Sequence, residues 1–210
     1  YLRTDSGLIL MGWPANPDGT IPDYPRDTSV GLSAVQINVN QSAGEPTTRM
    51  SLGINLPATE TEENADGESI TLPIEYFDNL GASQDLTLQF TPTVPTTIPP
   101  TAPDRRSNEW TLTIADSAGA AGSTIAEYTV VFNGNRTEGG TLDSVTTVSS
   151  DRNGVVPGEG DWDPATGLLV VEVAGGPITI DIGARGTGSG LTQFSDSFAP
   201  TQISKDGTPV

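Results

Sequence analysis

Carboxylates are the side chains with the widest chemical reach in this chain, because its 210 residues include no His and no Cys. Asp161-Trp162-Asp163, with Asp151 and Glu159 near it, offers oxygen atoms of the kind calcium takes. The regular spacing of a calcium loop fails within a few residues, at Asp151-Arg152-Asn153-Gly154. Residues 60–68 carry Glu60, Glu62, Glu63, Asp66 and Glu68, again without ligand spacing. Both stretches read as solvated acidic loops, so neither a metal nor any other cofactor is expected. Paired carboxylates can also hydrolyse glycosides. Such sites gather aromatic rings to stack sugars, whereas the three Trp, four Tyr and five Phe here fall mostly at strand positions. Gly183-Ala-Arg-Gly-Thr-Gly-Ser-Gly190 lacks the Gly-Lys-Ser/Thr ending of a phosphate loop and reads as a flexible link. Without His or Cys there is no catalytic triad, thiolate or ordinary zinc site. The chain is expected not to be an enzyme, with no catalytic residues.

The elements that would position these side chains are strands and turns. The chain has 28 Thr, 24 Gly and 17 Pro against a single Lys, and β-branched residues suit a pleated surface that Gly and Pro interrupt. Met50, Leu52, Ile54 and Leu56 alternate strictly, the mark of a half-buried strand. Leu72, Ile74 and Tyr76 alternate likewise and return through turn residues to Leu86, Leu88 and Phe90, which predicts a hairpin. Trp110, Leu112 and Ile114, then Tyr128, Val130 and Phe132, predict another strand pair. Leu142–Val148 is a weaker strand, and residues 168–173 and 178–182 flank a turn at Ala174-Gly-Gly-Pro177. The apolar run at residues 7–13 predicts a buried strand, and Val35, Ile37 and Val39 share one face of another. Between them, Pro14, Pro17, Pro22 and Pro25 exclude helix and central strand. No window shows a helical period. The expectation is an all-β chain of eight to ten strands, an antiparallel sandwich or barrel.

Charge narrows the partners. With 27 acidic and 9 basic side chains the formal charge is −18, which disfavours nucleic acid. No apolar run approaches the ~20 residues that span a bilayer, so no membrane insertion is expected. The chain begins at Tyr1 without a signal-peptide pattern and reads as a piece of a longer protein.

Once placed on strands and loops, several stretches resemble the bacterial flagellar hook protein family, in order along nearly the whole chain. They are Leu10-Met-Gly-Trp-Pro14, Met50-Ser-Leu-Gly-Ile-Asn-Leu-Pro57, Ile74-Glu-Tyr-Phe-Asp-Asn-Leu-Gly81 and Asn108-Glu-Trp-Thr-Leu112. Tyr128-Thr-Val-Val-Phe-Asn133, Leu191-Thr-Gln-Phe194 and Ile203-Ser-Lys-Asp-Gly207 follow. The resemblance implies a structural, non-enzymatic subunit of the hook, the curved tube that acts as a universal joint carrying torque to the filament. It implies residues 1–44 as a partial arm of a middle β domain, 45–200 as an outer β-sandwich or barrel, and 201–210 as a return toward the middle domain. The terminal axial helices of the family are absent from this sequence. Implied partners are further copies of the chain in a helical homopolymer, neighbouring flagellar axial proteins and the hook cap. The implied location is the extracellular flagellum, reached through its export apparatus. Trp13, Ile21 and Tyr24, on the proline-rich loop, are the expected inter-subunit contacts. The competing reading is a secreted adhesin-like or phage-tail β-sandwich that binds a partner.

Overall fold

Period-2 alternation puts one face of each strand in a core only where a second layer covers that face, and the chain meets this condition in one of its two units. A computed structural model describes residues 2–14, 20, 28–35, 44–97, 105–119, 123–152 and 161–209. Contacts divide the chain into unit 1, Tyr1–Ser42, and unit 2, Ala43–Val210.

Unit 2 is built from two sheets. The first is an antiparallel meander of β4 (Ile70–Phe77), β5 (Ser83–Pro92), β6 (Glu109–Asp116), β7 (Thr124–Phe132) and β8 (Leu142–Ser150), in that order. The second is organised on β3 (Arg49–Pro57). β10 (Gly176–Asp181) runs parallel to its first half and β11 (Leu191–Phe194) parallel to its second half. β12 (Ala199–Lys205) lies antiparallel along the other side of β3, and β9 (Leu168–Val173) closes the sheet beyond β10. Residues 201–205, within the expected return segment, thus belong to a strand of this sheet. A single 3-10 turn, Ala58–Thr61, follows β3; no α-helix occurs among the described residues.

The two inner faces bury the residues whose alternation predicts them. Met50, Leu52, Ile54 and Leu56 of β3 join Trp110, Leu112, Ile114, Tyr128 and Val130 of the meander in one core. Register aligns these side chains across strands: Phe90 pairs with Leu112 and Leu112 with Tyr128. The fold is therefore all-β, as the pattern predicts. The glycine run after β10 differs from the expected flexible link. Gly183 and Gly190, at φ of 99° and 80°, bring backbone against backbone, and Leu191 N–H donates to Ile182 O at 2.8 Å. The turn thereby sets β11 beside β3.

Unit 1 differs more. β1 (Met11–Gly12) pairs with β2 (Ser33–Ala34), and Arg3 bridges to Ile9. None of its described residues is buried, so the strand expected at 7–13 is a short exposed one. An apolar run is buried only if something packs on it, and no second layer stands on it among the described residues of this unit.

The glycine turn has room for a side chain at one position and none at another. A Cβ at Gly190 would lie 2.1 Å from Ile182 O, on backbone at positive φ, whereas one at Gly188 meets nothing within 4 Å. Gly190→Ala is expected to cost about 2–4 kcal/mol from strain and overpacking, and Gly188→Ala less than about 0.5 kcal/mol. Denaturant melts of both variants check this; equal midpoints would contradict it.

Candidate assembly surface

Unit 1 carries the largest apolar side chains that the described residues leave exposed close together in sequence. Leu2, Leu8, Ile9, Leu10, Met11, Trp13 and Val30 are all at least a third exposed, Leu8 at 69% and Val30 at 64%. Backbone bonds hold them in place: Leu2 N–H donates to Val35 O, Leu10 N–H to Leu2 O, and Val35 N–H to Leu10 O. Gly7, at φ 85°, turns the chain between Thr4 and Leu8. A shallow cleft of about 390 Å3 lies among Leu2, Arg3, Thr4, Leu8, Ile9 and Leu10. This arrangement offers buried area to a partner and no reactive group.

Trp13, expected as a contact residue, stands in this set at 36% exposure, with its indole N–H donating to Val30 O at 3.2 Å. The bond satisfies the polar edge and leaves ring surface to solvent. Ile21 and Tyr24, the other two expected contacts, lie outside the described residues. Nothing in the sequence marks the leucines near Trp13 as exposed. Unbroken apolar sequence at 8–11 carries no alternation to reveal a solvent face, so it reads as core.

In unit 2 the carboxylates divide by environment. Asp161 is buried and accepts from Tyr128 Oη at 3.2 Å, Thr147 Oγ1 at 3.4 Å and Arg152 Nη1 at 3.1 Å. Asp163 sits in an exposed turn, accepting from Thr166 Oγ1 at 2.8 Å and Ala165 N at 2.9 Å. Those bonds, the Thr166 hydroxyl foremost, hold its carboxyl below the usual range. The two aspartates therefore serve a core tie and a turn, not a shared ligand. Asp151 is exposed, and Glu159 lies outside the described residues. In the 60–68 loop, Glu62 pairs with Arg106 and Glu63 with Arg105. Asp116, fully buried, accepts from Tyr76 Oη at 2.6 Å and from Ala174 N at 2.9 Å. Burial first, and the neighbouring carboxylates second, push the phenols of Tyr76 and Tyr128 far above their ordinary range. Among the described residues no three His, Cys, Asp or Glu side chains gather around a metal-sized space.

Residues 35–208 match the family described as flagellar basal body protein FlaE D2 domain. Among solved structures the chain is similar to Helicobacter pylori flagellar hook protein FlgE2, at 13% identity and a TM-score of 0.40, over 67% of this chain and 25% of that one. It is also similar to a 32 kDa fragment of the flagellar hook protein FlgE from Caulobacter crescentus, at 15% identity and a TM-score of 0.41. That likeness covers 65% of this chain and 46% of the fragment. The matched region is less than half the length of either. No curated protein matches the chain.

Trp13 can be read separately from the rest. Trp110 is 0% exposed and Trp162 6%, so Trp13 is the one Trp open to a quencher. Trp13→Phe is expected to remove most of the acrylamide-quenchable fluorescence and to change the stability of unit 2 by less than about 0.5 kcal/mol. Quenching that persists unchanged in the variant would show that the ring is covered.

Proposed function

The chain belongs to the flagellar basal body protein FlaE D2 domain family, and from that premise we propose that it is a structural segment of a hook-forming subunit. The family match over residues 35–208 carries this reading. In it, many copies form a helical homopolymer outside the cell, a curved tube that transmits torque as a universal joint and meets other flagellar axial proteins and the hook cap. The chain performs no catalysis in this role.

Two features of unit 2 support the reading. Glu45 N–H donates to Thr208 O at 3.1 Å and Thr208 N–H to Glu45 O at 2.9 Å, so the segment leading into β3 and the segment leaving β12 lie side by side. Neighbouring ends are what an inserted domain needs, since it must leave its host and return at one place. We assign residues 1–44 to an arm of the host domain and the residues from 45 on to the outer domain, whose last strand, β12, runs through the first residues of the return segment 201–210. The exposed apolar side chains of unit 1 suit such an arm, which shares a core with the rest of its own domain.

The second feature is the treatment of sheet edges. β4 carries Pro73, which cannot donate to a ladder, β12 carries Pro200 and a register shift beside it, and β8 pairs through two register shifts. Such devices oppose edge-to-edge pairing. Copies of the outer domain then meet through side chains, on a strongly acidic surface that favours wet, weak contacts able to slide as the tube bends.

Trp13, Ile21 and Tyr24 are the proposed contacts with neighbouring subunits, because prolines restrict their loop before docking. Tyr24→Ala in the full-length protein is expected to leave the melting temperature unchanged and to give unstable or misshapen hooks. Loss of several degrees in melting, with normal hooks from the protein that folds, would assign the ring to its own domain instead.

A further inference from the structure

The two chain connections of unit 2 meet at a cluster of bonds centred on one carboxylate. Asp206 Oδ1 accepts from the Thr48 N–H at 2.8 Å and the Arg49 N–H at 2.9 Å, while Oδ2 accepts from Thr48 Oγ1 at 2.7 Å. The Asp206 N–H donates back to Arg49 O at 3.1 Å, and Thr47 Oγ1 donates to Asp206 O at 3.2 Å. Gly207, at φ 85°, lets the outgoing chain close on the incoming one: a Cβ there would lie 2.7 Å from Thr47 Oγ1 and 2.9 Å from Glu45 O. The same residues reach the other sheet. Thr47 Oγ1 accepts from Phe77 N–H at 3.0 Å, and Lys205 Nζ donates to Glu75 O at 2.9 Å and to Glu75 Oε2 at 2.7 Å. Lys205 also stands 4.2 Å over the Phe77 ring.

We infer that Asp206 is a latch: closed, it makes the incoming segment 45–49 and the outgoing segment 205–208 one stiff root, and it opens without unfolding the two-sheet core. The energetic basis is local. Thr48, Arg49, Asp206 and Thr208 are exposed; Thr47 is the buried member, tied to Phe77 by its N–H and hydroxyl, and no buried apolar side chain lies between it and the first core residue of β3, Met50. Segments held by exposed polar bonds open at lower free energy than core strands. An open latch leaves the outer unit on two independent threads, and a closed latch leaves it on one hinge. The latch thus deepens the inserted-domain reading and rests on it for its consequence, although its opening is a property of this chain alone.

Acid is a direct way to open it. Partial burial raises the Asp206 carboxyl, but the Arg49 amide and the Thr48 hydroxyl and amide outweigh that and hold it below the usual carboxylate range. A carboxyl depressed in the folded state adds stability above its unfolded value and loses it as pH falls through the folded one. The charged groups facing the latch are Arg49 on β3, Lys205 on β12 and Asp181 on β10, which line one groove with Asp206, Asp78, which lines a second groove with Thr47 and Thr48, Glu45, which pairs with Thr208, and Glu75 on β4, which pairs with Lys205. Glu75 is itself held low, first by Lys205 and then by Ser83.

Amide hydrogen exchange on the chain itself tests the latch, read residue by residue and corrected for intrinsic rates. In Asp206→Ala the amides of Glu45, Thr48, Arg49 and Thr208 are expected to exchange at least tenfold faster, with Leu112 and Tyr128 unchanged. In the parent chain the same four amides are expected to lose protection selectively below the ordinary carboxylate range, and in Asp206→Asn this pH dependence is expected to vanish. Root amides that exchange only together with the core, in the parent chain at low pH or in either variant, would overturn the latch. That result leaves the hook reading to its own test in assembled hooks, so the two fail independently.

Discussion

Unit 2 depends on two inner faces of alternating apolar side chains being closed against each other, because neither face is stable in water alone. A fully buried Leu, Ile or Phe contributes on the order of 1.5–3 kcal/mol relative to exposure. Here Trp110, Tyr76, Tyr128, Phe90 and a run of Leu and Ile side chains are fully buried between the sheets. That layer requires each strand to present its apolar set inward, and it makes a one-residue slip of any strand costly. The meander satisfies this by pairing each strand antiparallel with the next one in sequence. The β3 sheet satisfies it by running β10 and β11 parallel to β3, with the tight Gly183–Gly190 turn between them.

Burial without direction would leave the sheets free to slide, and three polar ties oppose this. The Asp116 carboxylate links the Tyr76 hydroxyl of the meander to the Ala174 amide of the β9–β10 turn. Asp161 joins Tyr128 and Thr147 of the meander to the segment bridging to β9 at Leu169. Gln193 of β11 accepts from the Trp110 indole at 2.8 Å and donates to Asn108 at 2.7 Å. A buried polar group is tolerated when its hydrogen bonds are made, and leaving one unmade costs about 1–3 kcal/mol. Each tie therefore disfavours alternative packings more than it adds net stability.

In the proposed role, a structural segment of a tube needs stiffness within each unit and compliance between units. The meander and its ties supply the first. Polar outer faces, guarded strand edges and an acidic surface supply the second, since like-charged wet surfaces hold each other weakly. The exposed Leu2, Leu8, Ile9 and Leu10 of unit 1 fit neither pattern; in the proposed reading they face the rest of a host domain, while Trp13 faces a neighbouring subunit.

The sequence by itself determined the all-β class, the β4–β5 hairpin, the β6–β7 pair and the inward set of β3, because each of these shows as local alternation, whereas the joining of these pieces into one meander was decided by the fold. Met50–Leu56 and Trp110–Ile114 are legible because period 2 needs no knowledge of the partner strand. The family was legible too, through short stretches kept in order. Tertiary structure alone decided the rest. β11 and β12 carry too little alternation to be seen as strands, and they become strands because β3 offers them edges. Asp161 and Asp163, separated only by Trp162, look like a pair until burial sends the first to the core and leaves the second in a turn. Asp206 and Thr48 are far apart in sequence and meet only when β12 closes on β3. The run at residues 8–11 reads as core in the sequence, and its exposure follows from the absence of a covering layer among the described residues of unit 1. Alternation is written into the chain, whereas burial depends on which other segment arrives, and that is a property of the fold.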